Sequence, residues 1–326
     1  MTDFDVHPDW REAGGWTTLA DTDDPADVLF GDLVESTSPG VAGEFDVVLV
    51  GEPYDDAVIG RPGAIDGPVA IRRALASLKA HHYDVGPMVR VGDLGDLGPL
   101  IELLERDRGH VEPVERAQRR IASVATEVHQ LEAFPVFLGG DNSLTVPNVE
   151  PLLADHRVGC VNLDAHLDVR EVRAEPTSGS PYRQLLESGL DGYVCLGARH
   201  FETSTAYHQY VHEQGGTVIT AETVGADPPA AARGALEALG DVDVVYVSLD
   251  LDVLDVTAAP GVSAPTPGGL PTRELFGVLR LLARDERVAG FEVVECAPRH
   301  DRAGRTAAAG ARAVAHFLAG YVGARR

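Results

Sequence analysis

Two apolar runs of this chain each end in side chains that alternate between metal-binding and apolar types. Residues 158–163 lead into the sequence D-A-H-L-D at 164–168, and residues 242–249 lead into D-L-D at 250–252. Val-rich runs of this length are typical of parallel strands that are covered on both faces. Side chains two residues apart in a strand point the same way. The polar side chains of each segment are therefore expected to converge at the carboxyl end of their strand.

The rest of the chain alternates strand-like segments with helical stripes, which occur at 71–78, 275–282 and 314–321. This alternation predicts an α/β fold with a mostly parallel central sheet, in which ligands bind beyond the carboxyl ends of the strands. Because no repeat or linker divides the chain, we predict an N-terminal arm over 1–43 and one catalytic domain over 44–326. The predicted strands are Asp46–Gly51, Phe134–Leu138, Val158–Leu163, Gly192–Leu196, Thr217–Thr220, Val242–Leu249 and Phe291–Val294.

The polar groups at the two strand ends have the chemistry of a metal site. Asp164, His166 and Asp168 follow one strand, and Asp250 and Asp252 follow the other. Carboxylate oxygens with one imidazole nitrogen suit Mn²⁺ and similar divalent ions better than a thiolate-bound metal. So many anionic ligands favour two adjacent cations, which would deprotonate a bridging water and so indicate a hydrolase. In the alternative, the aspartates only cap helices or form turns, but buried charges normally need a partner or a metal.

Composition narrows the classes of partner. The 326 residues carry a net charge of −24, and Lys79 is the only lysine. Such a surface disfavours nucleic acid and anionic membranes as partners. Because the carboxylates are spread along the whole chain, we expect a halophilic archaeal protein in molar salt, where screening removes the self-repulsion. An acidic protein from an ordinary cell is the alternative.

The cysteines and the termini indicate a cytoplasmic protein. Cys160, Cys195 and Cys296 are odd in number, form no C-x-x-C pair and follow apolar runs. They are therefore predicted to be buried core residues in a reducing compartment. No apolar run approaches the ~20 residues of a membrane span, and the acidic N-terminus lacks the basic and apolar regions of a secretory signal.

Three further segments are predicted to lie near the same edge of the sheet. One strand ends in G-G-D-N-S at 139–143, where the glycines allow the backbone close to a ligand. A phosphate cradle is disfavoured there because Asp141 would repel the anion and no G-K-[ST] sequence follows. Residues 259–269 form a Pro/Gly-rich loop that is expected to wall a pocket. Glu295 ends the strand Phe291–Val294 and adds a carboxylate.

Taken together, these segments resemble the ureohydrolase superfamily of arginases, agmatinases and formimidoylglutamases. The resemblance runs from about residue 46 to the C-terminus and includes the glycine-rich segments 60–64 and 67–72. It implies a three-layer α/β/α fold and a site with two Mn²⁺ ions per subunit, although Co²⁺ or Ni²⁺ can bind similar groups. In the implied arrangement, Asp164 and Asp250 bridge the metals, Asp168 binds one ion, and His166 and Asp252 bind the other. Glu295 would face the amidine-type nitrogens of the substrate.

Asn142 departs from the family pattern, in which a G-G-D-H-S loop supplies a histidine ligand. The resemblance then implies coordination through the asparagine oxygen, which is a weaker and neutral ligand. One of the two ions would bind more loosely, or would need a high metal concentration.

The segment after the D-x-H-x-D sequence resembles the formimidoylglutamase branch. Arginases and agmatinases carry a histidine there, whereas residues 176–184 read P-T-S-G-S-P-Y-R-Q, like the S-G-T-x-[FY]-R-Q of formimidoylglutamases. Val169-Arg170 also suits that branch. The resemblance implies that a metal-bridging hydroxide hydrolyses N-formimidoyl-L-glutamate to L-glutamate and formamide, a step of histidine degradation.

The residues that would contact this substrate are less well defined. Ser178, Arg183 and Arg199 are the candidates for substrate binding, the two arginines because a guanidinium can pair with a carboxylate through two hydrogen bonds. An ordinary surface ion pair is the alternative for each arginine. His200 is the candidate proton donor to the leaving amine, with a surface histidine as the alternative.

Other functions stay open. A guanidino hydrolase that releases urea is the nearest, and the absence of a histidine from residues 176–184 argues against it. Asn142 alone supports a weakened, non-catalytic paralogue. A nicotinamide-binding dehydrogenase rests on fold analogy and lacks G-x-G-x-x-G after a strand. Ureohydrolases are commonly trimers or hexamers, so the resemblance also implies a homo-oligomer.

Overall fold

The strands of the structure follow the Val-rich runs of the sequence. This computed structural model describes residues 10–16, 24–97 and 114–326. Its strands are β1 (Trp10–Arg11), β2 (Val34–Ser36), β3 (Val47–Gly51), β4 (His81–His82), β5 (Gly86–Pro87), β6 (Val91–Leu97), β7 (Phe134–Leu138), β8 (Val158–Leu163), β9 (Gly192–Ala198), β10 (Thr217–Thr220), β11 (Val244–Asp250) and β12 (Val288–Val294).

Helices alternate with these strands. Several begin with a proline in the first turn, where the missing N–H removes no hydrogen bond. The α-helices of the described ranges are α1 (Gly67–Ala76), α2 (Val114–His129), α3 (Thr145–Val149), α4 (Pro181–Glu187), α5 (Thr205–Glu213), α6 (Ala221–Ala226), α7 (Pro228–Ala238), α8 (Thr272–Leu282) and α9 (Arg305–Arg325). Short 3₁₀ helices span Phe30–Leu33, Pro39–Glu44, Ala64–Asp66, Asn142–Leu144, Glu150–Ala154, Leu251–Val253 and Pro298–His300.

Ten of the described strands form one sheet. Its order is β1-β6-β3-β7-β12-β11-β8-β9-β10, with β2 also paired to β6. All pairs are parallel except β1 with β6, and β4 and β5 form a separate antiparallel pair. Because β7, β12, β11 and β8 are consecutive neighbours, the carboxyl ends of these strands meet at one stretch of the sheet edge.

Side chains of each strand alternate between two cores, one on each face of the sheet. In β3, Val47 and Leu49 belong to one apolar cluster, whereas Val48 and Val50 belong to the other. Helices α1, α6, α7, α8 and α9 cover the first cluster, and helices α2 to α5 cover the second. The predicted three-layer α/β/α fold is therefore confirmed.

The strands predicted from the sequence are confirmed, with ends that shift by up to three residues. Five strands were missed, namely β1, β2, β4, β5 and β6. Of these, β1 and β2 lie within the predicted N-terminal arm and pair with β6. The boundary at residue 43 stays a prediction, and residues 1–9 and 17–23 of the arm lie outside the described ranges.

Strand β6 carries buried charges that one arginine of α1 neutralises. The Arg72 side chain is fully buried, and its Nε donates to Asp93 Oδ2 at 2.8 Å while Nη2 donates to Asp93 Oδ1 at 2.9 Å. Arg72 also pairs with Asp96 and donates to the Gly95 carbonyl. Burial acts to lower the pKa of Arg72, but the two aspartates outweigh it and raise that pKa.

Two predictions about compartment can be compared with the structure. Cys160, Cys195 and Cys296 are all buried and free, as expected for core residues. Within the described ranges, no helix is both long enough and apolar enough to cross a membrane.

Candidate metal centre

The carboxyl ends of β8 and β11 bring five candidate ligands together. Ligand atoms of Asp164, His166 and Asp252 all lie within 4.8 Å of one another, and those of Asp164, Asp168 and Asp250 do the same. Asp164 belongs to both groups. Asp164, Asp250 and Asp252 are buried, whereas His166 and Asp168 are partly exposed to a cavity. The arrangement is two adjoining clusters with one shared carboxylate.

The convergence comes from tight turns rather than from the strand alternation that the sequence pattern suggested. Strand β8 ends at Leu163, and Asp164 Oδ1 accepts a hydrogen bond of 2.6 Å from the His166 N–H. At the end of β11, Asp250 Oδ1 accepts one of 2.7 Å from the Asp252 N–H, which begins a short 3₁₀ helix. Each first aspartate therefore caps its own turn. The capping and metal interpretations of these residues are compatible.

The electrostatics of the cluster favour divalent cations. Burial raises the pKa of Asp250 well above its usual range, and repulsion from Asp252 and Asp164 adds to the rise. Burial likewise raises the pKa of Asp168, again with a contribution from Asp164. Among the described residues, no arginine or lysine forms an ion pair with these carboxylates. Cations bound between them would supply the missing positive charge.

His166 is the one group in the cluster that can carry positive charge. Its Nδ1 lies 3.0 Å from Asp252 Oδ2 and 3.4 Å from Asp164 Oδ1. Burial acts to lower the pKa of His166, but the carboxylates of Asp252 and Asp164 outweigh it and raise that pKa. The same nitrogen is correctly placed to bind a metal once it is deprotonated.

Asn142 lies beside the shared carboxylates but presents its nitrogen to them. Its Nδ2 donates to Asp168 Oδ2 at 2.6 Å and lies 3.4 Å from Asp164 Oδ2. Its Oδ1 lies 2.7 Å from the Thr145 hydroxyl, which also lies 2.5 Å from Oε1 of the buried Glu292, and the single hydroxyl proton can be donated to only one of these two oxygens. When the proton is donated to Glu292, the amide can turn so that its nitrogen donates to the threonine oxygen and its Oδ1 faces the carboxylates, which is the orientation that the predicted coordination of a metal through the Asn142 oxygen requires.

The G-G-D-N-S loop is fixed by close backbone packing. A Cβ on Gly140 would lie 1.7 Å from the Tyr54 carbonyl oxygen, so only glycine fits there. Thus Gly140 allows a close approach to the backbone after β3, whereas the sequence suggested an approach to a ligand. Asp141 accepts hydrogen bonds of 2.9 Å from the N–H groups of Ala57 and Ser143, which makes it a structural residue of the loop.

Glu295 stands at the end of β12, next to this loop. Its Oε1 accepts a hydrogen bond of 3.0 Å from the Asn142 N–H, and its Oε2 has no partner among the described residues. Burial raises the pKa of Glu295 to about 8, and repulsion from Asp141 contributes. Glu295 and Asp168 both have positive φ angles, 65° and 47°. For residues other than glycine this conformation is strained, and such strain concentrates at functional sites.

Two adjoining cavities open at the cluster. The smaller, about 110 Å³, is lined by candidate ligands, by Glu295 and Ser178, and by Ser263 of the Pro/Gly-rich loop, which therefore walls the pocket as predicted. Arg61 holds that loop by donating to the carbonyls of Pro260 and Val262. The larger cavity, about 360 Å³, extends past His166 and Asp168 towards the start of α5.

Three of the predicted catalytic and substrate-binding residues do not line these cavities. His200 is largely exposed and lies 3.5 Å from Glu222, so the surface interpretation is favoured over that of a proton donor. Arg183 pairs with Glu187 at 2.5 Å and stacks on Tyr210 at 3.8 Å. Neither His200 nor Arg183 lines either cavity.

Arg199 is used inside the protein. Its side chain is buried, and it donates to the Asp252 carbonyl at 2.7 Å and to the Thr266 carbonyl at 2.6 Å. The arrangement positions the backbone that carries Asp252. It leaves Arg199 unable to reach a substrate carboxylate without losing these bonds.

Arg170 was not selected from the sequence as a site residue, yet it lines both cavities. Its position two residues after Asp168 continues the spacing of the D-x-H-x-D sequence. That spacing was the available signal, but residue type alone did not separate Arg170 from the other arginines nearby.

The family of the chain follows from comparison with known proteins. The model of the arginase family matches residues 45–320. The chain belongs to the arginase family. The family resemblance stated from the sequence motifs is thus confirmed, and the match covers every candidate site residue named above.

Relatives within the arginase family include enzymes of the formimidoylglutamase branch. The chain is 51% identical over 316 residues to formimidoylglutamase of Halobacterium salinarum, covering 95% of this chain and 99% of that protein. It is 34% identical to guanidinopropionase of Pseudomonas aeruginosa, over 83% of this chain and 85% of that protein.

Solved structures of enzymes from this branch are also similar to the chain. Formimidoylglutamase from Bacillus subtilis superposes with a TM-score of 0.82 at 27% identity, covering 93% of this chain and 94% of that one. Formiminoglutamase from Trypanosoma cruzi with Mn²⁺ gives a TM-score of 0.77 at 28% identity, covering 86% and 95%.

Proposed function

We propose that the protein hydrolyses N-formimidoyl-L-glutamate to L-glutamate and formamide, and that it needs divalent cations to do so. The observation that carries the hydrolase assignment is the pair of ligand clusters that share Asp164. The substrate is supported by the relative in Halobacterium salinarum, which is 51% identical along nearly the whole of both chains. Assignment to the formimidoylglutamase branch is also supported by residues 176–184, which contain no histidine where arginases and agmatinases carry one.

The five residues at the ends of β8 and β11 fit a pair of Mn²⁺ ions. One ion would be held by Asp164, His166 and Asp252, and the other by Asp164, Asp168 and Asp250. Hard carboxylate oxygens with one imidazole are typical ligands of Mn²⁺. Two adjacent cations of this kind supply Lewis acidity that activates water at neutral pH. The Mn²⁺ in the Trypanosoma cruzi structure supports this choice of metal.

In the overall reaction, water adds to the formimidoyl carbon and the bond from that carbon to the glutamate nitrogen breaks. The water oxygen becomes the carbonyl oxygen of formamide, the imino nitrogen becomes its amide, and the glutamate amine leaves with a proton. Glu295 lines the smaller cavity with an oxygen that has no partner among the described residues. That carboxylate would pair with the planar amidine nitrogens and hold the carbon in place.

Neighbouring residues would orient the ligands. Asn142 donates to Asp168 through its Nδ2. Arg199 holds the carbonyl of Asp252. We propose that the hydrogen bond from Asn142 fixes the direction of the Asp168 carboxylate. Partners of this kind tune metal sites, and losing one typically lowers metal affinity or activity 10–100-fold.

The direct test is product release from candidate substrates. The protein in molar KCl with Mn²⁺ is given N-formimidoyl-L-glutamate, and L-glutamate and formamide are measured. Agmatine, arginine and 3-guanidinopropionate are assayed in parallel for urea, with Asp164→Asn as the inactive control. Metal-dependent glutamate release without urea is the expected result. Urea release would instead assign the protein to the guanidino branch, and the absence of all products from folded protein would favour a non-catalytic paralogue.

We further propose that the protein works in molar salt. Its net charge of −24 with a single lysine supports this, as does the Halobacterium relative. Salt screens repulsion between exposed carboxylates. The midpoint of thermal unfolding should therefore rise between 0.1 M and 3 M KCl, and a midpoint that stays constant or falls would contradict the proposal.

A further inference from the structure

One basic side chain stands at the junction of the two cavities. Among the residues that the structure describes, Arg170 is the only arginine or lysine that lines either cavity, and it lines both. The other groups at this junction are His166 and Asp168, which belong to the ligand cluster. A guanidinium in this position faces any ligand that extends from the metal centre into the larger cavity.

Arg170 lies against the segment that follows the ligand cluster. Its backbone N–H donates to the Gly179 carbonyl at 2.9 Å. A Cβ on Gly179 would lie 2.8 Å from Arg170 Cδ and 3.0 Å from Nε, so the arginine lies directly over this glycine. The Ser178-Gly179 segment therefore provides the surface on which the arginine rests.

Within the described part of the chain, the Arg170 guanidinium forms no hydrogen bond or ion pair. Arg183, by contrast, pairs with Glu187, and Arg199 donates to the carbonyls of Thr266 and Asp252. The nearby Ser178 is buried and lines the smaller cavity, and its hydroxyl oxygen accepts from the Ile59 N–H at 3.2 Å. The proton of that hydroxyl is thus free to donate to a ligand.

The chemistry of these two groups selects a carboxylate. A guanidinium can donate two parallel hydrogen bonds to one carboxylate, and a hydroxyl can add a third. A molecule whose reacting carbon sits at the metal centre would then extend its acidic end towards the larger cavity. The same guanidinium would repel a terminal ammonium, such as that of agmatine.

We propose that Arg170, supported by Gly179 and assisted by Ser178, binds a carboxylate of the substrate and so selects dicarboxylic amidines over amine-ended guanidines. The inference rests on the proposed function and names the residue that gives it its specificity. Arg170 replaces Arg183 and Arg199 as the candidate for this contact.

Steady-state kinetics of Arg170→Gln would test the proposal. The KM for N-formimidoyl-L-glutamate should rise about 10- to 100-fold with kcat within about threefold, because binding is lost while the metal centre is intact. The matched control is Arg173→Gln, since Arg173 is exposed, pairs with Glu171 and lines neither cavity. It should leave both constants unchanged.

Gly179→Ala provides a second, smaller perturbation. The added Cβ would press on the ends of the Arg170 and Ile59 side chains, which can move, so the fold should persist while the arginine shifts. We expect KM to rise by about fivefold or more. An unchanged KM in Arg170→Gln would overturn the proposal, whatever Gly179→Ala does.

Binding without turnover separates this proposal from the proposed function. Glutarate is titrated calorimetrically into the Mn²⁺-loaded wild type and into Arg170→Gln. If the variant binds glutarate at least tenfold more weakly than the wild type, the carboxylate site is supported, even when the wild type hydrolyses nothing. In that case only the proposed function fails. Equal affinity in both proteins, or no binding to the wild type, would overturn the carboxylate site even if hydrolysis is observed.

Discussion

Removing the buried guanidinium of Arg72 should destabilise the fold more than any surface charge change. In Arg72→Met, the carboxylate of Asp93 stays buried but loses two hydrogen bonds, of 2.8 and 2.9 Å, and its countercharge. Taking one partner from a buried ion pair costs about 3–5 kcal/mol. Asp93 keeps hydrogen bonds from Trp16 Nε1 at 2.6 Å and from the Gly95 N–H at 2.8 Å. We therefore expect the lower end, about 3 kcal/mol.

The assay is urea-induced unfolding in constant 2 M KCl, followed by circular dichroism. A double-mutant cycle with Asp93→Asn isolates the coupling between the two residues, because the asparagine keeps the shape but removes the charge. The control is Arg90→Met, since Arg90 and its partner Glu35 are both more than half exposed. That variant should lose less than about 1 kcal/mol. A loss below about 1 kcal/mol in Arg72→Met, or no coupling in the cycle, would refute the reasoning.

Three further predictions concern pH, packing and metal removal. Burial and the nearby charges of Arg280, His82 and Arg312 lower the pKa of His316 to about 4. Below pH 6.5, the ordinary pKa of histidine, this residue binds a proton in the unfolded chain but not in the native protein. The free energy of unfolding should therefore fall from pH 6.5 to 4, by about 1 kcal/mol for this partly exposed ring. His316→Phe should flatten that part of the pH profile of urea midpoints, and an unchanged profile would contradict the assignment. Gly140→Ala should abolish the native fold or cost more than about 3 kcal/mol, because its Cβ would meet the Tyr54 carbonyl; normal stability in urea would show that the loop can yield. Chelation with EDTA should lower Tm by about 5 °C relative to saturating Mn²⁺, since a ligand that binds only the native state stabilises it, and equal Tm values would argue against a metal site.

Much of the fold was predictable because its central strands are buried on both faces. Strands β7, β8 and β11 are mostly apolar runs rich in Val, Leu and aromatic residues, and such runs carry a strong local signal. Strand β6 reads V-G-D-L-G-D-L and has the composition of a turn. It nevertheless pairs with β1, β2 and β3, and Arg72, on a helix earlier in the chain, neutralises its buried Asp93 and its partly buried Asp96. A pairing over this distance leaves no local pattern.

The candidate ligands were predictable for a similar reason. Asp164 and Asp250 each follow a buried strand, and the parallel order of β8 and β11 brings the two strand ends together. The tight turns that complete the clusters depend on hydrogen bonds from each aspartate to the second residue after it. The spacing alone did not reveal them, although it led to the same residues.

The substrate side of the site was harder to predict because arginines are chemically alike. Arg183, Arg199 and Arg170 can all bind a carboxylate, and only the structure shows which guanidinium is already occupied. The orientation of the Asn142 amide depends on whether the hydroxyl of Thr145, three residues later, donates to Asn142 or to Glu292. Such choices are made by packing and by partners, and the identity of the residue does not determine them.

The most direct test of the account is the number of Mn²⁺ ions bound per chain, measured by equilibrium dialysis and elemental analysis in molar KCl. We predict two ions in the wild type, one in Asp252→Ala, and none in Asp164→Ala, because Asp164 belongs to both clusters. Full binding by Asp164→Ala, or a wild type that binds no metal, would contradict the central claim that these strand ends form a shared metal centre.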